Sequence, residues 1–260
     1  MNQESSTPPM ERVSFKLPVG GAFLNVSANL PAGRTTLTQL LPVIQNLENA
    51  IIGRIGEEAT QAGTPISCRA GCGACCRQMV PLSYFEAEAL ADWFNTLPAE
   101  RRVELEGRFH RGLLGLRDAG VIDRLLDDQA TLEEEAAIQL AIDYFRAGVP
   151  CPFLEDESCS IHPIRPLACR EYLVTSPPAL CRDPSLNTVA GVQLPLRLSH
   201  VLYAFGRRLA QDRRGWFPLI FLLAWIKGGQ RPGESISGTG KEVLQSFLKQ
   251  VEELPSAAEH

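Results

Sequence analysis

Apolar residues recur along the chain with two different periods. Around Gly20-Gly21, two stretches rich in β-prone residues read as a hairpin, Val13–Leu17 and Ala22–Leu30. From Thr36 the period lengthens: Leu37, Leu40, Leu41, Ile44, Leu47 and Ile51 recur in steps of three and four. That spacing predicts an amphipathic helix running to about Ala62, where Gly63 and Pro65 stop it. Ser83 followed by Glu86 is a capping box, so a helix opens within "PLSYFEAEALADWFNTL". Further helices are expected over 98–118 and 130–147, and a short one from Pro166 carrying Cys169. "NTVAGVQLPL" is assigned one short strand, and helices at about 196–211, 216–227 and 239–253 close the chain. The fold class is mainly α: a helical domain with irregular cysteine-rich loops and a small N-terminal β-hairpin. Residues 1–11, with Ser, Thr and paired Pro, read as disordered. The rest, 12–254, reads as one domain: hairpin 12–31, a cysteine region 66–182 with a helical insert, and C-terminal helices 196–254.

Composition narrows the function classes. With 260 residues and 45% hydrophobic content, the chain can bury a core without crosslinks. A net charge of −5 argues against nucleic acid as a partner. The most apolar run, "WFPLIFLLAWI" from Trp216 to Ile226, is far shorter than the roughly 20 residues a bilayer needs. It reads as a buried helix, and no membrane span is expected. The opening "MNQESSTPPMERV" has no basic stretch followed by an apolar run, so a cytoplasmic location is expected. There thiols stay reduced, and clustered cysteines bind metal or do redox chemistry more often than they form disulfides.

Eight cysteines fall into two groups. Cys68, Cys72, Cys75 and Cys76 follow C-x3-C-x2-C-C, while Cys151, Cys159, Cys169 and Cys181 are spread more widely. Both groups sit in Gly- and Pro-rich loops rather than in apolar helix stripes, where cysteines used only for packing would be scattered. Gly71 and Gly73 flank Cys72 and permit backbone turns that aim sulfurs inward. Spacings this short bring sulfurs within reach of one ion or cluster. Adjacent side chains usually point apart, so Cys75 and Cys76 are expected to serve two centres, or one of them none. Arg69, Arg77, Arg170 and Arg182 directly follow Cys68, Cys76, Cys169 and Cys181. With 21 arginines in 260 residues, fewer than one such pair is expected by chance. Guanidinium groups would offset thiolate charge. His162, three residues after Cys159, is either a nitrogen ligand or an ordinary loop histidine; His110, His200 and His260 read as structural or surface residues.

The stretches "CRAGCGACCRQMVPLSYFEAEAL" and "CPFLEDESCSIHPIRPLACREY" resemble, in order, the two halves of the YkgJ-type cysteine-cluster family, a zinc- or iron-chelating domain. The resemblance covers roughly residues 66–173. It implies that Cys68, Cys72, Cys75, Cys76, Cys151, Cys159 and Cys169 are metal-site residues; Cys181 lies just beyond the pattern. Arg165, inside the "IRP" of the second half, joins the other arginines and His162 as a candidate neighbour of the metal. The motif is also similar to one in flagellin lysine methylases, which implies an iron–sulfur cluster. Their activity is not carried over, because no Gly-rich strand–turn–helix for a methyl donor is visible and "PVGGAF" sits in a hairpin pattern.

Three other readings share parts of this pattern. C-x3-C-x2-C is also the spacing of radical S-adenosylmethionine enzymes, but Ala74 stands where those carry an aromatic residue, and no alternating strands for a β/α barrel follow. "CGAC" is a C-x-x-C, without the βαβ context of a thiol oxidoreductase. A structural zinc module satisfies the spacing as well as iron does. The expectation is therefore a cysteine-ligated iron–sulfur cluster of the 4Fe-4S type with a redox or enzymatic role, with zinc in a non-catalytic interaction module as the alternative. The partner would be an unidentified protein or small molecule.

Overall fold

The computed structural model describes residues 9–127, 134–182, 189–210, 213–229 and 236–254. Residues 1–8, most of the stretch expected to be disordered, lie outside the described residues, but Met10 and Glu11 do not: β1 (Met10–Val19) starts there and pairs with β2 (Ala22–Pro31) over ten antiparallel rungs. Gly20 and Gly21 join the strands with φ of +57° and +79°. Two successive positive φ angles give the tight turn whose twist matches the strands, and glycine adopts them without strain. Strand β3 (Arg34–Thr36) leads into α1 (Leu37–Gln61), capped reciprocally by Thr36 and Gln39. The predicted stripe Leu37, Leu40, Leu41, Ile44, Leu47 and Ile51 is buried along α1.

The middle of the chain holds β4 (Pro81–Ser83), α2 (Tyr84–Thr96), α3 (Ala99–Asp118), α4 (Ile122–Leu126) and α5 (Glu134–Arg146). The predicted start of α5 at residue 130 lies outside the described residues. Short elements follow: β5 (Leu154–Glu155), β6 (Ser158–Cys159) and α6 (Leu167–Glu171), which carries Cys169 as expected. The chain continues through α7 (Leu198–Ala210), β7 (Trp216–Pro218), α8 (Leu222–Gly228), β8 (Ser237–Thr239) and α9 (Gly240–Glu252). Two expectations are corrected. The apolar run from Trp216 is not one helix: its first three residues pair with β4, Pro218 lacks the N–H that a helix would need from it, and only Leu222 onward is α-helical. The strand expected in "NTVAGVQLPL" reduces, among the described residues, to a single bridge between Gly191 and Val174.

Strands pair only two by two, β1 with β2, β3 with β8, β4 with β7 and β5 with β6, so no β/α barrel forms among the described residues. No helix among them is long and apolar enough to cross a membrane. Two apolar cores result. One gathers Leu17, Leu30, Ile44, Val201 and Phe247 from the hairpin, α1, α7 and α9. The other gathers Leu90, Phe109, Leu140, Phe153 and Ile220 from α2, α3, α5 and the segments around residues 153 and 220. Ile161 packs into the second core and Leu167 into the first, so the second cysteine segment runs between them.

Candidate metal centre

The first cysteine segment is a chain of tight turns. The N–H groups of Cys72, Cys76 and Gln78 donate to the carbonyls of Arg69, Gly73 and Cys75 at 3.2, 3.0 and 3.1 Å. Gly71 turns with φ of +81°. Gly73 serves differently: a Cβ there would lie 2.6 Å from the Glu157 carbonyl oxygen and 2.6 Å from Leu154 Cδ1. Its missing side chain lets the first segment lie against the β5–β6 hairpin.

The two segments, far apart in sequence, are stitched together. Cys151 N–H donates to the Cys76 carbonyl at 2.7 Å, and Ser67 N–H to the Val174 carbonyl at 2.9 Å. Val174 N–H donates to Cys68 Sγ at 3.3 Å. The Arg77 guanidinium pairs with Glu157 at 2.7 Å and also donates to the Gly73 carbonyl. Cys159 sits on β6, whose turn puts Asp156 and Glu157 at positive φ. Cys181 lies on a 3-10 turn over Pro178–Arg182.

Cys72, Cys75, Cys76, Cys151, Cys159 and Cys169 line one cavity of about 320 Å³. Cys68 and Cys181 do not; they pack with Cys72, Ala74 and Val174 in a small cluster beside it. Electrostatics divides the thiols differently, grouping Cys72 with Cys68 and Cys181. Cys181 is acted on by Cys75, Cys68 and Cys72. Cys169 is acted on by Cys151, Cys75 and Cys159, and Cys76 by Cys75, Cys151 and Cys169. Cys75 belongs to both circles. Among the described residues, no three Cys, His, Asp or Glu side chains close on one point as an ion cage; the sulfurs stand around a space.

Cys75 and Cys76 depart from expectation. Their thiols do not diverge but hydrogen-bond to each other, because the turn at 73–76 folds both inward. That bond draws Cys75 down to about 7 and pushes Cys76 up, so the pair gives up its first proton readily. Burial pushes Cys151 up to about 12 and Cys181 to about 11, and raises Cys68, Cys159 and Cys169. Thiols held neutral by burial become thiolates when a cation compensates them.

The arginines next to cysteines are used differently from one another. Arg69 and Arg182 are exposed, and Arg77 is taken by Glu157. Arg170 is buried and ties backbone: it donates to the Pro163 and Arg165 carbonyls and to Asn49 Oδ1. Arg165, which follows no cysteine, lines the cavity beside the thiols and favours the thiolate forms of Cys68, Cys75, Cys159 and Cys169. His162 also lines the cavity; burial, with Arg165 and Arg170 nearby, lowers its pKa and favours the neutral imidazole that can ligate metal. His200, read from sequence as structural, lines the cavity from α7 with Tyr203. Only its helical spacing from Tyr203 and from the preceding Arg197 hinted at this, because nothing local marks α7 as a neighbour of the cysteines.

Three buried carboxyl groups hold the helices around the site. Glu86 completes the capping box of α2 and accepts the Leu167 N–H at 2.7 Å, fixing the start of α6. Glu171 accepts from Ser199 N–H at 2.8 Å and from its hydroxyl at 2.5 Å, joining α6 to α7. Glu48 accepts the Leu198 N–H at 3.3 Å from α1. Burial raises the pKa of all three.

No curated protein and no solved structure matches this chain. A family model does: residues 67–187 match CxxCxxCC, described as a "putative zinc- or iron-chelating domain". The match spans every cysteine of the chain, both the six around the cavity and the two beside it. With its two hallmark halves folded against each other, the stretch 67–187 is similar to the CxxCxxCC domain, whose description is zinc or iron chelation.

Proposed function

We propose that this domain holds iron–sulfur rather than zinc, in two adjoining four-thiol sets: Cys68, Cys72, Cys75 and Cys181 in one, and Cys76, Cys151, Cys159 and Cys169 in the other. The packing of Cys68 and Cys181 with Cys72 in a small cluster beside the cavity, while Cys76, Cys151, Cys159 and Cys169 line the cavity itself, carries this reading. Soft sulfur donors, with one imidazole nearby, fit iron or zinc and disfavour oxygen-loving ions. Two arguments favour iron. A single zinc takes four ligands, whereas eight thiols gather in and beside this cavity. Arg165 beside them can donate to cluster sulfur and offset its charge. Such a cluster supplies electron storage or an iron site for substrate, which makes the chain a redox or modifying protein with a small-molecule or protein partner. Its own residues gather the thiols and supply the compensating cation, Arg165.

Anaerobic purification with metal and sulfide analysis tests the reading. Expected are bound iron, acid-labile sulfide and a broad visible band. A colourless protein with stoichiometric zinc would overturn it in favour of a structural zinc module. Cys75→Ser and Cys76→Ser separate the two sets: each variant is expected to lose part of the iron and retain the rest. Loss of all iron from both would leave a single centre.

A further inference from the structure

Beyond the thiols, the cavity has a second wall that no metal needs. It is formed by Gln193, Arg197, His200 and Tyr203, with Gln78 and Arg165 at its junction with the cysteines. We propose that this wall binds a small organic carboxylate next to the metal centre, with Arg197 as its principal anchor. The inference rests on the proposed function only in taking the thiol end of the cavity as the metal's.

The two arginines of the cavity, Arg165 and Arg197, have donor capacity left over. Among the described residues, neither Arg165 nor Arg197 makes an ion pair within 4 Å of a carboxylate. Arg165 Nε is buried without a hydrogen-bond partner among them. The one carboxylate on the wall, Glu171, is turned onto Ser199, with both oxygens engaged. Arg197 is exposed and Arg165 half-buried, so both forks can be reached from the cavity, and a planar bidentate carboxylate suits a guanidinium fork. The Tyr203 hydroxyl is directed at the Pro81 carbonyl at 3.2 Å, so it holds the wall in position rather than competing for the ligand.

Shape limits the ligand. About 320 Å³ is at the small end of ligand cavities. Val80, Leu173 and Val192 line the cavity as well, which fits a carboxylate with a short apolar body better than a phosphate ester. The pattern is that of a specific small-molecule site: an apolar lining with a few convergent polar groups.

Hexanoate is the probe, with hexanamide as its neutral match and inorganic phosphate as the third arm, titrated by calorimetry and ligand-observed NMR into the full chain as isolated with its metal. Saturable hexanoate binding is expected, about tenfold or more weaker for hexanamide, which lacks the charge. Arg197→Gln should weaken hexanoate by about tenfold or more while leaving metal content unchanged, and Arg197→Lys should recover part of the loss. Absence of saturable hexanoate binding overturns the proposal. So does binding that Arg197→Gln leaves unaltered, or phosphate competing as well as hexanoate. If the protein takes up no metal, the proposed function fails alone, and the same titration on the metal-free chain still decides the carboxylate site by the same outcomes.

Discussion

Gly73 illustrates how a residue without chemistry can control a site that has it. The two cysteine segments meet because its α-carbon comes within contact of the Glu157 backbone, where a Cβ would stand 2.6 Å from the carbonyl oxygen. Backbone cannot rotate out of the way as a side chain can. Gly73→Ala should therefore force the β5–β6 hairpin away and cost about 1–3 kcal/mol, the usual range for overpacking. Gly71→Ala is the instructive comparison. Its Cβ would meet nothing within 4 Å, but its φ of +81° strains any other residue, so its cost is local. Thermal melts of both variants should show destabilisation. Metal content should fall with Gly73→Ala much more than with Gly71→Ala. Equal retention of metal in both would mean that the close approach is not what assembles the thiols.

At the scale of elements, the site is positioned by buried carboxyl groups capping helices, and these carry a pH dependence. Burial pushes Glu48 up to about 8; neighbouring Glu171 adds to the rise, while the Leu198 N–H, Arg170 and Arg197 oppose it. Its ordinary value is 4.5. A group raised on folding stabilises fully below its unfolded pKa, and that contribution is lost as pH rises through the folded one. Stability should thus fall from about pH 4.5 to about pH 8, by up to about 1.4 kcal/mol per pH unit for one retained proton. Glu48→Gln keeps an acceptor for Leu198 without the charge, so denaturant midpoints measured across this window should flatten. A slope unchanged from the parent chain would assign the dependence to other groups, Glu171 first. The same helices mark the limit of what sequence could reveal. Capping boxes at Ser83 and α6 after Pro166 were legible because their signals are local. The pairing of β4 with β7 was not, since three-residue strands carry no period and Pro218 alone hinted that the apolar run was interrupted.

The whole molecule separates what folds by burial from what folds by ligation. The hairpin, α1, α7 and α9 bury Leu17, Ile44, Val201 and Phe247 in one core without any cysteine, and the α2–α5 core draws only on Cys151 and Cys159 at its margin. Periodicity makes such cores readable, which is why helices α1, α2, α3, α7 and α9 were located from sequence within a few residues. The cavity depends instead on contacts between residues about 75 or more positions apart, such as Cys151 N–H to the Cys76 carbonyl and Arg77 to Glu157. Spacing could identify the sulfurs but not how they divide, nor that α7 supplies the facing wall. The stitching across the segments is thin: a few hydrogen bonds, one half-exposed ion pair and the small cluster around Val174. An exposed pair of that kind contributes at most about 1 kcal/mol, so metal ligation should supply much of the order there. Removing metal with a chelator under reducing conditions is then expected to raise amide exchange over residues 67–78 and 150–182 by orders of magnitude, while α1, α7 and α9 keep their protection. Uniform loss of protection would mean that metal and cores fold as one unit, and no change at all would mean that the cysteine segments hold their shape unaided.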